Sequence, residues 1–339
     1  MALGKKKMLH QAATGLVATE NFAPFTYTGT VGGQSLTGLG FQPDLVWIKA
    51  RTGSANSHMW QDSVRGANKT IISNSDSQEL TSTDFFTSFD SDGFTLPANS
   101  GTQTNNNGID YVAWCWKGGG NSNTFNVDGT GYSTASAAGL TAGNNNPTGA
   151  SVNTASGFSI VKYTTSGGSG TVAHGLNDTP EVVLLKRTSA ASDWYFFTTV
   201  IDGSMDLLRL NSNTFQIADT TQAFTSTTFK DWGGSGDWIA YCIKSITGYS
   251  SIGNYEGTGA SGNAQDIGFQ PRLVLLKRTD NTSGWYLMDS VRGEDKQLYP
   301  EFSGSEGTLN IINITSTGFN FGGSTMNIDD AYYIYWAIA

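Results

Sequence analysis

The side chains that could carry covalent or metal chemistry in this sequence are few and poorly spaced for it. Three histidines occur in 339 residues, His10, His58 and His174, and no two have the close spacing with which imidazoles share a metal ion. Cys115 and Cys242 lack a C-x-x-C partner, and they fall at the same place in two related segments. They read as two separate small buried thiols, not as a disulfide. No G-x-S-x-G elbow surrounds a serine, and the Gly-rich stretches lack the lysine of a phosphate loop. Glycoside hydrolysis would need two carboxylates across a cleft. None of the glutamates (Glu20, Glu79, Glu181, Glu256, Glu294, Glu301 and Glu306) occupies the same site in all three repeats. Asp110 and Asp237 directly precede strands, with Asp330 near a third, and read as turn caps before calcium ligands or catalysts. No catalytic residue, metal site or cofactor is expected.

Two features suit binding. Trp232, within KDWGGSGD, is surrounded by glycines and charges and is the candidate for stacking on a sugar ring. Lys5, Lys6 and Lys7 form the one basic run and are the candidate contact of an N-terminal docking arm with an acidic partner surface.

The elements that would position these groups recur. GFQPDLVWIKAR (Gly40 to Arg51) returns as HGLNDTPEVVLLKR (His174 to Arg187) and as IGFQPRLVLLKR (Ile267 to Arg278). Each is a turn, a helix-blocking proline, an apolar run and a basic stop, which describes a short buried strand. A closing strand follows each: YVAWCWK from Tyr111, WIAYCIK from Trp238 and YIYWAI from Tyr333. At period two, Val112, Trp114, Trp116, Ile239, Tyr241, Ile243, Ile334, Trp336 and Ile338 form the core face. The opposite face, with Tyr111, Ala113 and Cys115 in the first copy, reads as only partly covered. MWQDSVRG (Met59 to Gly66) has a counterpart in LMDSVRG (Leu287 to Gly293), while the second copy has FFTTVIDG (Phe196 to Gly203). Asp62 with Arg65, and Asp289 with Arg292, read as turns with an internal ion pair of local importance.

Only 14% of residues are charged while 42 are glycine, a balance that suits an all-β protein rich in turns. Residues 1–19 read as the docking arm, 20–117, 157–246 and 247–339 as three tandem antiparallel β-sandwich repeats, and 118–156 as a Gly/Asn/Ser/Thr-rich strap. Phe125, Val127, Tyr132 and Leu140 would pin that strap to a surface. The net charge of −9 argues against nucleic acid. No apolar stretch is long enough for a membrane span, and no secretory signal is expected at the N-terminus.

The set GFSIVKYT, HGL, PEVVLLKR, GFQPDLVWIKAR, WQDSVRG and YVAWCWKGGG resembles a repeat family in tail fibres and other tail-associated structural proteins of tailed bacteriophages, notably marine and cyanobacterial ones. The resemblance runs from Phe22 onward, is weakest in repeat two, and brings no catalytic residues. It implies β-sandwich domains of jelly-roll or concanavalin A-like kind, displayed on the virion surface after assembly in the host cytoplasm. The expected partners are other tail proteins and a host receptor such as a glycan, with homo-oligomers, a trimer suiting a fibre. A capsid decoration or other tail subunit is the neighbouring reading. A polysaccharide-degrading enzyme is the reading from another class.

Overall fold

The computed structural model describes residues 16–53, 56–98, 103–167, 170–219 and 221–339. Lys5, Lys6 and Lys7 of the expected arm lie outside them, as does His10. Apart from a single-turn 3-10 element, Ala18–Glu20, the regular structure of the described residues is β. Repeat one supplies β1 (Phe22–Thr28), β2 (Gln34–Thr37), β3 (Leu45–Ala50), β4 (Met59–Asp62), β5 (Lys69–Ile72), β6 (Leu80–Thr81), β7 (Ser88–Asp90), β8 (Gly93–Leu96) and β9 (Asp110–Trp116). The strap supplies β10 (Phe125–Val127), β11 (Thr130–Tyr132) and β12 (Gly149–Asn153). Repeat two has β13 (Phe158–Thr165), β14 (Thr171–Ala173), β15 (Val182–Arg187), β16 (Trp194–Thr198), β17 (Asp206–Arg209), β18 (Ile217–Ala218), β19 (Thr228–Lys230) and β20 (Gly236–Ile243). Repeat three has β21 (Ser250–Glu256), β22 (Gln265–Asp266), β23 (Leu273–Arg278), β24 (Trp285–Asp289), β25 (Lys296–Gln297), β26 (Gly307–Thr308), β27 (Ile312–Thr315), β28 (Gly318–Phe321) and β29 (Tyr332–Ile338).

One strand order occurs three times: β1-β9-β3-β4, β13-β20-β15-β16 and β21-β29-β23-β24, all antiparallel. Register makes the residues equivalent, since Leu45, Val182 and Leu273 lie opposite Trp116, Ile243 and Ile338. A small sheet accompanies each large one: β2-β8-β7, β14-β19 and β22-β28-β27. The pair forms a sandwich, because Leu36 and Phe94 pack with Val46, Ile48, Ala113 and Cys115, and the other repeats do the same with Val172 and Phe229 or with Phe319 and Phe321.

This corrects the expectation for the closing strands. Tyr111, Ala113 and Cys115 are completely buried, and so are Ala240 and Cys242. Small residues stand there because the second sheet approaches closely. The face with the large side chains packs elsewhere: all nine residues expected on it join one cluster drawn from all three repeats. The three large sheets therefore face one another. Trp60 meets Trp194 at 5.0 Å and Tyr241 at 5.2 Å, Phe196 meets Trp285 at 5.1 Å, and Trp116 meets Trp336 at 5.9 Å. Each such pair contributes about 0.5–1.5 kcal/mol beyond its buried area.

Backbone contacts between repeats run in one cyclic sense. Glu79 N donates to Thr188 O at 3.0 Å, Gln216 N to Thr279 O at 2.9 Å and Glu306 N to Arg51 O at 2.9 Å. Three buried lysines at equivalent positions cross the same junctions. Lys186 Nζ donates to Asp76 O (2.9 Å), Lys277 Nζ to Asn213 O (3.2 Å) and Lys49 Nζ to Ser303 O (3.1 Å). Repeat one is thus joined to two, two to three and three to one, a closed head-to-tail ring within one chain.

The strap extends the repeat-two sheet, with β10 pairing β12 in parallel and β12 pairing β13. Phe125 and Leu140 are buried in the repeat-two core, and Val127 and Tyr132 pack against it. Its start is fixed by Asp44, whose carboxylate accepts from Gly118 N at 2.8 Å and Gly120 N at 3.1 Å. Between them Gly119 is obligatory, since a Cβ there would stand 2.5 Å from the Asn126 and Val152 carbonyl oxygens.

Candidate functional site

The two DSVRG segments are turns whose ion pairs are buried. Asp62 and Arg65 have side-chain exposures of 0% and 1%, and Asp289 and Arg292 of 0% each, with Nε to carboxylate distances of 2.5 and 2.6 Å. Each arginine also donates from its backbone N to the other carboxylate oxygen, at 2.9 Å in both copies. The pairs sit at repeat junctions: Tyr241 OH donates to Asp62 (2.7 Å) and Trp114 Nε1 to Asp289 (2.9 Å). Repeat two has Thr198 at this register position and Ile201 in place of the arginine. Trp336, equivalent to Trp114 and Tyr241, accordingly keeps a buried Nε1 without a hydrogen bond among the described residues.

The histidines are core groups. His58 stands where the other repeats have Trp194 and Trp285, and its Nδ1 accepts from Trp47 Nε1 at 3.0 Å. Burial takes it well below the usual imidazole pKa. Its Nε2 makes no hydrogen bond of normal geometry, although the Tyr299 and Phe302 backbone lies close enough to favour the protonated ring. His174 Nδ1 accepts from Leu176 N at 3.1 Å, with Nε2 3.1 Å from Thr225 O. Cys115 and Cys242 are free and buried in different repeats, and burial raises Cys242 to about 12. Asp110 and Asp237 accept cross-strand hydrogen bonds from Thr28 (2.7 Å) and Thr164 (2.6 Å) instead of capping turns, because each lies within its strand. Asp330 is exposed in a left-handed conformation at φ 58°. Among the described residues, no group of three or more His, Cys, Asp or Glu could hold a metal ion.

Trp232 does lie in a cleft. An open space of about 400 Å³ at the junction of repeats one and two is lined by Trp232, Tyr195, Trp238, Arg187, Asp193 and Asp76, with the loop glycines. Trp232 is half-buried, held at 5.4 Å from the Tyr195 ring and 4.8 Å from Phe197. Trp238 donates Nε1 to Gly234 O at 3.2 Å, and Gly233, at φ 72°, has its Cβ position 3.1 Å from the Trp238 ring. The short glycine loop thus packs closely over the Trp238 ring. Beneath it, Lys186 also donates to Ser192 O, and burial lowers its pKa to about 8. Asp193 is spent on Arg209 Nε and Asn211 Nδ2, both at 2.9 Å. The chemistry on offer is stacking plus polar contacts.

The equivalent junction of repeats two and three holds a second open cleft of about 620 Å³, lined by Asn211, Asn213, Tyr286, Tyr299, Glu301 and Phe302. Glu301 is raised to about 7 by burial, and no tryptophan lines this space. Within repeat one Gln103, from the long loop before β9, accepts from Ser57 N at 2.7 Å. Sequence reasoning missed Arg187, which looked like the basic stop of a strand. The available signal was the residue two positions on, Ser189 here against Asp280 after Arg278.

Residues 18–339 match the model of a family described as a domain of unknown function, DUF7483. No curated protein matches the chain.

Proposed function

The chain belongs to the DUF7483 family, a domain of unknown function, and on that premise we propose that it is a tailed-phage virion protein, a tail fibre or receptor-binding protein that attaches to a host-surface saccharide. The resemblance of its repeat motifs to tail proteins supplies the virion setting. The observation that carries the binding role is the half-buried Trp232 beside Tyr195 and Trp238 in an open cleft, within a body whose other tryptophans are core or buried. Apolar surface left in contact with water forgoes about 25 cal/mol per Å², and a ring-stacking ligand would give the uncovered part of Trp232 a use. In this reading the particle surface is the site of action, tail proteins are the partners through the N-terminal arm, and neither nucleic acid nor membrane is bound.

The test is adsorption of purified full-length protein to host cells, with isolated host-surface polysaccharide as competitor. Saturable binding that the polysaccharide displaces, and that Trp232→Ala weakens at least about tenfold without lowering the melting temperature of the body, is expected. Undiminished adsorption of that variant removes the cleft from the account.

A further inference from the structure

We propose that the Trp232 cleft takes an acidic saccharide, a sugar ring bearing a carboxylate, and that Arg187 selects for the charge. The inference rests on the saccharide-binding reading above and deepens it. Arg187 and Arg278 occupy one register position, opposite Trp238 and Tyr333. Arg278 is closed off by Asp280, with Nε and Nη2 to the two carboxylate oxygens at 2.7 and 3.2 Å. Repeat two has Ser189 in place of that aspartate, and its Oγ is turned to accept from Asp237 N at 3.0 Å. Arg187 therefore has no carboxylate partner among the described residues. Its guanidinium donates to the Ser235 carbonyl, and its Nε makes no hydrogen bond.

A guanidinium is a planar fork of donors that fits a carboxylate, and it is costly to leave unpaired beside apolar surface. Here it lines the same cleft as Trp232. A sugar on Trp232 with its carboxylate at Arg187 would use both. Lys186 adds positive charge from below. The acids of the cleft are Asp193, already neutralised by Arg209, and Asp76, which is exposed on the wall supplied by repeat one. With a net charge of −9 the chain as a whole repels anions, so the preference must come from this local arrangement and not from long-range steering. The equivalent cleft between repeats two and three carries Glu301 instead and would reject the same ligand.

The experiment titrates the full-length protein with methyl glucuronide and with methyl glucoside, following tryptophan fluorescence and saturation-transfer NMR at pH 7. The glucuronide is expected to bind about tenfold more tightly, the scale of one charge-assisted contact in an open cleft. Arg187→Gln should erase the preference while the glucoside still binds, and Asp76→Asn should strengthen glucuronide binding alone. Trp232→Ala should remove both. If Arg187→Gln fails to fold, Arg187→Lys, which keeps the charge but not the fork, should show a reduced preference. Equal binding of the two sugars, or a preference that survives the loss of Arg187, overturns the acidic-ligand inference and leaves the stacking cleft standing. Binding of neither sugar overturns both.

Discussion

Repeat two already contains the natural control for the buried ion pairs, and that makes a sharp prediction about repeat three. Replacing Asp289 by threonine leaves Arg292 buried with Glu306 at 3.1 Å as its one carboxylate, beside the Leu287 carbonyl at 2.9 Å, and replacing Arg292 by isoleucine leaves Asp289 buried with only the Trp114 indole and local backbone donors. Breaking a fully buried pair from one side costs about 3–5 kcal/mol. The double variant Asp289→Thr with Arg292→Ile reproduces Thr198 and Ile201 and leaves no buried charge unpaired. Glu306 keeps Arg51, at 3.0 and 3.1 Å, and the Leu287 carbonyl keeps Leu298 N at 3.0 Å. What remains is one orphaned N–H on Trp114, as on Trp336 now, which costs about 1–3 kcal/mol. The double variant should therefore be less destabilised than either single one, by about 2 kcal/mol, where additivity would give roughly 6–10 kcal/mol. Urea unfolding followed by tryptophan fluorescence measures all three. A double variant as damaged as the sum of the singles would show that the pair is not what joins these side chains, and the argument would fail.

Three further outcomes follow from the same body. Because the large side chains of all three repeats share one cluster, calorimetry should show a single cooperative transition for the body, and resolved transitions for separate repeats would contradict the shared interior. Asp206 is buried, with its pKa raised to about 6 by desolvation and by Asp202. A carboxyl raised in the fold contributes stability below its unfolded pKa and loses it as pH rises through the folded value. Asp206→Asn should accordingly be neutral at pH 4 and stabilising by about 1–2 kcal/mol at pH 8. Lys49, Lys186 and Lys277, each lowered to about 8 by burial, have the opposite sign, so wild-type melting temperature should climb between pH 8 and 9.5. A flat profile over that interval would mean that the carbonyls around Nζ compensate the buried charge.

The strands were legible because apolar runs such as LVWI and LVLL, entered from a proline turn, have few other uses. Period two sorted their side chains correctly into faces, but it names no partner for a face. Trp114 and Cys115 point opposite ways, and which way leads to the second sheet and which to the other repeats depends on contacts far apart in sequence. The turn and internal ion pair of the DSVRG segments were legible, but their burial was not, because Trp114 and Tyr241 arrive from another repeat to cover them. The strand-end lysines were read as stops, although their ammonium groups are buried against carbonyls of the next repeat. Phe125 and Leu140 in the strap were legible, since large apolar groups in a Gly/Asn/Ser tract have little to do except dock. Trp232 was found by its glycine-rich surroundings. Arg187 was not, because an unpaired cation is defined by what fails to stand beside it.

Closing the ring inside one chain also changes valence. A homotrimer of a single repeat would have to carry the same residues at all three junctions, so any change made at one would be paid at every other. Here the junctions have drifted apart: one holds Trp232 and Arg187, the next Tyr286 and Glu301. On the proposed reading each chain offers one binding mouth of a given kind, not three, and tight attachment to a repetitive surface would come from the number of chains mounted together and the spacing between them, with weak single contacts summed across the array.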